Sequence, residues 1–247
     1  MFKNTIDYDK VSKVYDQVRT GDPEMVHQIL DGVSVTQDSL VLDMGCGTGN
    51  NTLLFAVASQ SLVLGLDISF GMLEKAHEKK SSLPLVQAPA DNLPFTSDSF
   101  DLVFMTEVIH HLPNILGSFE ETYRILKRPG SLCIVTQSHA QIDHRMTSRF
   151  FPASAKIDKA RYPDVDEIED LLFKTGFNEV NPIPYVFKPV RLGNDYLETV
   201  TKRGYSMLHK IHTEDYERGL RDLQVAFASG EELSYSAEYT FIWSYKR

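Results

Sequence analysis

The run Leu42-Asp-Met-Gly-Cys-Gly-Thr-Gly49 gathers three glycines and an acid between an apolar stretch and a helical one. Alternate glycines suit a turn whose backbone approaches a ligand closely and takes positive φ, because no Cβ stands in the way. Dinucleotide sites use a similar loop, so the glycines alone do not choose a ligand. Two details turn this loop away from a pyrophosphate. Asn50 takes the sixth position of Gly-x-Gly-x-x-Gly, and Asp43 lies two residues before Gly45. A carboxylate aimed into the pocket repels a pyrophosphate but holds an ammonium, directly or through backbone and water.

Asp67 closes a second apolar stretch, 22 residues after Gly45. An acid there can accept both hydroxyls of a ribose. In Ala90-Asp-Asn-Leu-Pro-Phe95, Asp91 can accept the exocyclic amine of adenine and the Asn92 N–H can meet a ring nitrogen. Ile68 and Met72 can sandwich that ring. Thr106-Glu-Val-Ile-His-His111 follows a fourth stretch, at the strand edge where open α/β sheets bind ligands. Thr106 is assigned to the cofactor, and Glu107, His110 or His111 to removing a proton from an acceptor. Neighbouring histidines on a helix point apart, so one of the two at most is expected in the site. Tyr15 and Arg19 share a helical face, either as a lid whose arginine pairs with a carboxylate or as a packed tyrosine and a surface arginine. A metal site is not expected, since no third ligand stands at a useful spacing.

These motifs resemble the class I S-adenosylmethionine-dependent methyltransferases, and among them the group holding the quinone-biosynthesis C-methyltransferases and many small-molecule methyltransferases. The resemblance rests on Val41-Leu-Asp-Met-Gly-Cys-Gly-Thr-Gly49, Leu64-Gly-Leu-Asp-Ile-Ser69, Ala90-Asp-Asn-Leu-Pro-Phe95, Phe100-Asp-Leu-Val103 and Leu126-Lys-Arg-Pro-Gly-Ser131. It implies S-adenosylmethionine as cofactor and S-adenosylhomocysteine as product. The family's glycine loop falls on Gly45, Gly47 and Gly49, its ribose acid on Asp67 and its adenine-contacting acid on Asp91. Residues 39–138 carry these motifs in order; residues 139–234 carry none.

The elements that must position these groups follow from the pattern. Strands are expected at 39–45, 62–67, 84–89, 100–106 and 131–138, with helices near 50–60, 70–80 and 115–126 between them. That alternation argues βαβ units in a parallel sheet covered on both faces. Beyond it come a helix at 164–175, a strand at 178–187, a mainly helical 188–230 and an aromatic strand at 235–245. The expected fold is a Rossmann-like, doubly wound seven-stranded sheet, mostly parallel with an antiparallel C-terminal hairpin. The chain reads as a single methyltransferase domain over 1–247. Residues 39–138 form its cofactor-binding core, and 1–38, 139–160 and 188–230 a helical cap that selects the substrate.

Composition sets the remaining bounds. The 247 residues carry 34 acids against 25 Lys+Arg, a net charge of -9 that disfavours nucleic-acid partners. Cys46 and Cys133 have no CxxC neighbour, which fits a reducing compartment. No apolar leader or membrane-length segment is visible, so the expected location is the cytoplasm. The function implied is methyl transfer to a small molecule by in-line displacement. The alternatives are a non-catalytic S-adenosylmethionine-binding protein, a methyltransferase acting on RNA or protein, and a nicotinamide-dependent oxidoreductase.

Overall fold

The computed structural model describes residues 21–247. Helix α1 (Pro23–Asp31) opens with proline at its first turn, and Asp22 caps it by accepting the Met25 N–H at 2.9 Å. Then β1 (Leu40–Met44), α2 (Asn50–Ser59), β2 (Leu62–Asp67), α3 (Phe70–Lys79), β3 (Leu85–Gln87) and β4 (Phe100–Thr106) alternate as the pattern predicts. A 3-10 turn at Ile109–His111 leads into α4 (Ile115–Ile125) and β5 (Leu126–Thr136). The chain continues through α5 (His139–His144), α6 (Met146–Phe150), α7 (Pro152–Lys159), α8 (Val165–Thr175), β6 (Glu179–Val186), β7 (Val190–Arg191) and α9 (Asn194–Thr201). A second 3-10 turn (Ser206–His209), α10 (Thr213–Ala228), β8 (Ser234–Tyr235) and β9 (Glu238–Lys246) complete it.

The seven-stranded sheet has the order β3-β2-β1-β4-β5-β9-β6. It is mostly parallel with one antiparallel strand pair, the Rossmann-like arrangement read from the sequence. β1 pairs in parallel with both β2 and β4, so strand order reverses at β1 and opens a crevice beyond the carboxyl ends of β1 and β4. Both strands are apolar because both faces are covered: Val41, Leu42, Leu102, Val103 and Phe104 are fully buried. Phe104 stacks on Phe55 of α2 at 4.9 Å. The buried Lys246 ammonium anchors the end of β9, donating to Leu126 O and to Asp98 Oδ1, each at 2.7 Å.

Three boundaries depart from expectation. β5 begins at Leu126 rather than near residue 131, because Leu126 pairs with Phe100 before the register shifts past the Lys127–Gly130 irregularity. β3 is only three residues long. Ser234–Tyr235 leave the last strand and pair antiparallel with β7 instead.

The chain packs as two compact units. The first runs through Thr136 and takes in Ile168–Ile183 and Phe241–Arg247; the second comprises Gln137–Glu167 and Pro184–Thr240. The second has its own apolar core, in which Phe150 and Phe151 pack with Tyr196, Val200, Tyr216 and Leu223 of α9 and α10. Gly219 permits that approach: a Cβ there would lie 2.3 Å from Phe150 O. Among the described residues, no helix is long and apolar enough to cross a membrane.

Candidate active site

The glycine loop occupies the crevice at the end of β1. Leu66 O accepts from the Gly45 and Cys46 amides at 2.7 and 2.9 Å, which docks the loop on the end of β2. The Gly47 N–H then donates to Asp67 Oδ2 at 2.9 Å, and the Ser69 N–H to Asp67 Oδ1 at 2.9 Å. Two backbone donors thus fix the orientation of the Asp67 carboxylate. Ser69 caps α3 by accepting from the Met72 N–H at 3.2 Å, as its position before the helix suggests.

Gly45 and Gly47 both have positive φ, at 79° and 54°, for different reasons. A Cβ on Gly45 would stand 2.4 Å from Val108 Cγ2, whereas one on Gly47 would meet nothing within 4 Å among the described residues. Gly45 therefore serves packing, a constraint that the described residues do not place on Gly47. Gly49, at φ 76°, precedes α2 as its N-cap. Lys79, from α3, braces this end of the loop: its Nζ donates to Thr48 O, Thr48 Oγ1 and Asn50 Oδ1 at 2.9, 2.9 and 2.6 Å.

Asp43 ends β1 with 1% exposure. Its Oδ2 accepts from Thr52 Oγ1 at 2.6 Å, and its Oδ1 has no hydrogen-bond partner among the described residues. Burial pushes its pKa up to about 7; the Thr52 hydrogen bond opposes the rise and the charge of Asp67 adds to it. Thr106, ending β4, accepts from Asn51 Nδ2 at 3.2 Å, while Asn51 Oδ1 accepts from the Asp22 amide at 2.8 Å. Asn51 thus ties the start of α1 to the end of β4.

Asp91 is half-buried and Asn92 exposed. Their loop is pinned from α4. Arg124 donates from Nη1 to Phe95 O at 2.7 Å and from Nη2 to Leu93 O at 3.1 Å, and Glu121 Oε2 accepts from the Leu93 N–H at 2.8 Å. The hydrogen bonds between Glu121 and Arg124 hold the carboxyl below its ordinary range and raise the guanidinium. Ile68 is 65% exposed, whereas Met72 is buried at 2%.

Glu107 takes φ 57°, a left-handed conformation rare for a residue with a Cβ, and its amide donates to Val135 O at 2.9 Å. His110 and His111 correct the expectation that adjacent histidines point apart. They lie on the 3-10 turn rather than an α-helix, and their ring centroids are 3.9 Å apart at an interplanar angle of 48°. They form one paired unit, so assigning a role to only one of them has no geometric basis. Tyr15 and Arg19 lie outside the described residues. No group of three metal-ligating side chains occurs among the described residues.

Sequence reasoning missed Asn51, Thr52, Lys79, Glu121 and Arg124. Arg124 falls five residues before the Pro129 break and Lys79 in a helix's last turn, where cations are common in any case. Neither position carries a signal of its own.

Comparison with known proteins gives a consistent result. Residues 42–134 match the family described as the methyltransferase domain. The demethylmenaquinone methyltransferase of Staphylococcus epidermidis is 30% identical over 202 residues, covering 70% of this chain and 84% of that protein. The malonyl-[acyl-carrier protein] O-methyltransferase of Legionella pneumophila is 31% identical over 138 residues, covering 54% of this chain and 47% of that protein. Among solved structures, a methyltransferase from an antibiotic biosynthesis pathway of Anabaena variabilis superposes with a TM-score of 0.78 at 23% identity, covering 92% of this chain and 99% of that one.

Proposed function

Because this chain belongs to the class I S-adenosylmethionine-dependent methyltransferases, we propose that it methylates a small-molecule acceptor and that the glycine-loop crevice holds the cofactor. The observation that carries this placement is the carboxylate of Asp67, at the end of β2, fixed on the Gly47 amide. An oriented acid at the end of a second strand suits a ribose diol. The unpartnered Oδ1 of Asp43 suits an ammonium, whose charge would return that carboxyl to its ionised form. Gly45, Gly47 and Gly49 shape the loop. Asp91 and Asn92 take the adenine edge, with Ile68 and Met72 at its faces and Thr106 beside the methionine end. Tyr15 and Arg19, which lie outside the described residues, complete the assignment to the cofactor.

S-adenosylmethionine supplies a methyl group already activated by a positive sulfur. The protein's task is then to orient the two reactants and keep water out. Where the acceptor must lose a proton, His110, His111 or Glu107 takes it. Three considerations support a small acceptor. The net charge of -9 opposes a polyanion. The S. epidermidis relative is named for a quinone. The L. pneumophila relative is named for a malonyl group on a carrier protein. We place the reaction in the cytoplasm and treat the chain as one methyltransferase domain, with acceptor choice resting on residues outside 39–138.

Transfer of labelled methyl from S-adenosylmethionine is the test, with demethylated quinols, malonyl carrier protein and RNA as acceptors. Label in a small molecule supports the reading, and label only in RNA or in the carrier protein itself overturns it. Thermal stabilisation by S-adenosylhomocysteine and not by NAD checks the cofactor separately.

A further inference from the structure

The partners of Asn51 fix which way its amide points. The Asp22 backbone N–H can only donate, so the Asn51 atom 2.8 Å from it is the carbonyl Oδ1. The opposite atom, Nδ2, then faces Thr106 Oγ1 at 3.2 Å and donates to it. A second Nδ2 contact reaches Met25 Sδ at 4.0 Å. Met25 is buried and Asp22 caps α1, so both neighbours are held in place. A flipped amide would set donor against donor at Asp22.

A hydroxyl carries one proton and two lone pairs. Thr106 offers a lone pair to Asn51, so its proton is not used in that contact. Accepting a hydrogen bond also polarises the O–H and strengthens it as a donor. Thr106 ends β4 and is half-buried. Its side chain shares a sheet face with Phe104, two residues earlier, which stacks on Phe55 of α2. Asp43 is in register with Phe104 on the neighbouring β1 and accepts from Thr52 of the same helix. The ends of β1 and β4 thus set two groups side by side beneath α2. One is Asp43 Oδ1, buried with no partner among the described residues, and the other is a hydroxyl with a proton to give.

An α-amino acid group complements that pair, because it carries an ammonium and a carboxylate on one carbon. We propose that Asn51 is a positioning residue that makes the Thr106 hydroxyl a donor to the carboxylate of the cofactor's methionine moiety, while Asp43 takes the ammonium. The inference deepens the proposed placement of the cofactor and rests on it. One substitution reverses the polarity. Asn51→Asp keeps an oxygen for the Asp22 N–H and puts a second oxygen where Nδ2 stood. That oxygen draws the Thr106 proton to itself, and the hydroxyl no longer donates to the ligand.

The test is calorimetry on the full chain with two probes, S-adenosylhomocysteine and its analogue lacking the α-carboxylate. Thr106→Val should weaken S-adenosylhomocysteine roughly tenfold and the analogue less than about twofold. Thr106→Ser, which keeps the hydroxyl, should bind both within about threefold of the parent. Asn51→Asp should match Thr106→Val when made alone. In the double variant it should add less than about threefold, because both changes remove one interaction. The inference is overturned if Thr106→Val weakens the two probes equally, or if Thr106→Ser loses as much as Thr106→Val. It is also overturned if Asn51→Asp costs the same with and without the Thr106 hydroxyl, which would make its effect one of charge. Should Asn51→Asp not fold, the contrast between Thr106→Val and Thr106→Ser across the two probes decides. A parent that binds neither probe refutes the cofactor placement itself. A parent that binds both, with Thr106→Val changing nothing, overturns this inference alone.

Discussion

Thr52 Oγ1 donates to Asp43 Oδ2 at 2.6 Å, while Asp43 Oδ1 is buried without a hydrogen-bond partner among the described residues. One side of this carboxylate is anchored by the protein, and the other is the side proposed to meet the cofactor's ammonium. The cost appears in its pKa, raised by burial from 3.8 to about 7. The folded state therefore favours the protonated acid. Its contribution to stability is complete below pH 3.8 and is lost as pH rises to about 7.

Asp43→Asn should accordingly stabilise the fold, with a gain that grows across that window and levels off above it. A shift of this size sets an upper bound of ~4 kcal/mol. The same change should weaken S-adenosylhomocysteine and abolish the rise in affinity expected for the parent between pH 6 and 8, where Asp43 ionises. Denaturant melts and calorimetry at both pH values check it. A parent affinity that does not change with pH would remove Asp43 from the ammonium site.

Asp67→Ala removes the proposed ribose acceptor and also frees the Gly47 and Ser69 amides. A lost charge-assisted hydrogen bond is worth roughly 1.5–3 kcal/mol, or ~10–150-fold in affinity. Calorimetry with S-adenosylhomocysteine should show a loss in that range. Less than about threefold in a folded variant would contradict the assignment.

The two loop glycines should respond differently to alanine. Gly47→Ala meets no neighbour among the described residues and carries the positive-φ strain, about 1–2 kcal/mol. Gly45→Ala carries the same strain and a clash with Val108, for a further ~1–3 kcal/mol. Gly47→Ala should instead cost more in cofactor affinity than in stability, because its new methyl stands in the loop proposed to hold the cofactor. Equal thermal destabilisation of the two variants would show that the Val108 contact yields easily.

Glu121→Gln tests the clamp on the adenine-side loop. It weakens the charge-assisted pairing with Arg124, so the Leu93 amide should exchange faster with solvent and cofactor affinity should fall several-fold. Glu121 has its pKa lowered, so its contribution is present above the ordinary carboxylate range and is lost as pH falls through the depressed value. Unchanged exchange at Leu93 would mean that Arg124 alone holds the loop.

What the sequence determined by itself was local. Apolar runs of strand length alternated with amphipathic helices, and that rhythm reached β1 to β5 because burial on a regular element repeats with the element's own period. Ser69 was legible as a cap for the same reason, since a cap and its donor lie three residues apart. The acids Asp43, Asp67 and Asp91 could be singled out because each stands at or just past the carboxyl end of a strand. Partners that lie far apart in sequence were decided only by packing. Lys79 meets Thr48 across 31 residues, Arg124 meets Phe95 across 29, and β9 enters the sheet between β5 and β6. The pairing of His110 with His111 depended on a 3-10 turn, whose tighter winding the residue types do not announce. The group around Asp158 brings together Gln137, Arg145 and Arg161 from separate stretches of the second unit. Each of those residues looks like ordinary surface charge or polarity until the chain closes, because a side chain's electrostatic character is set by the neighbours and burial that folding gives it.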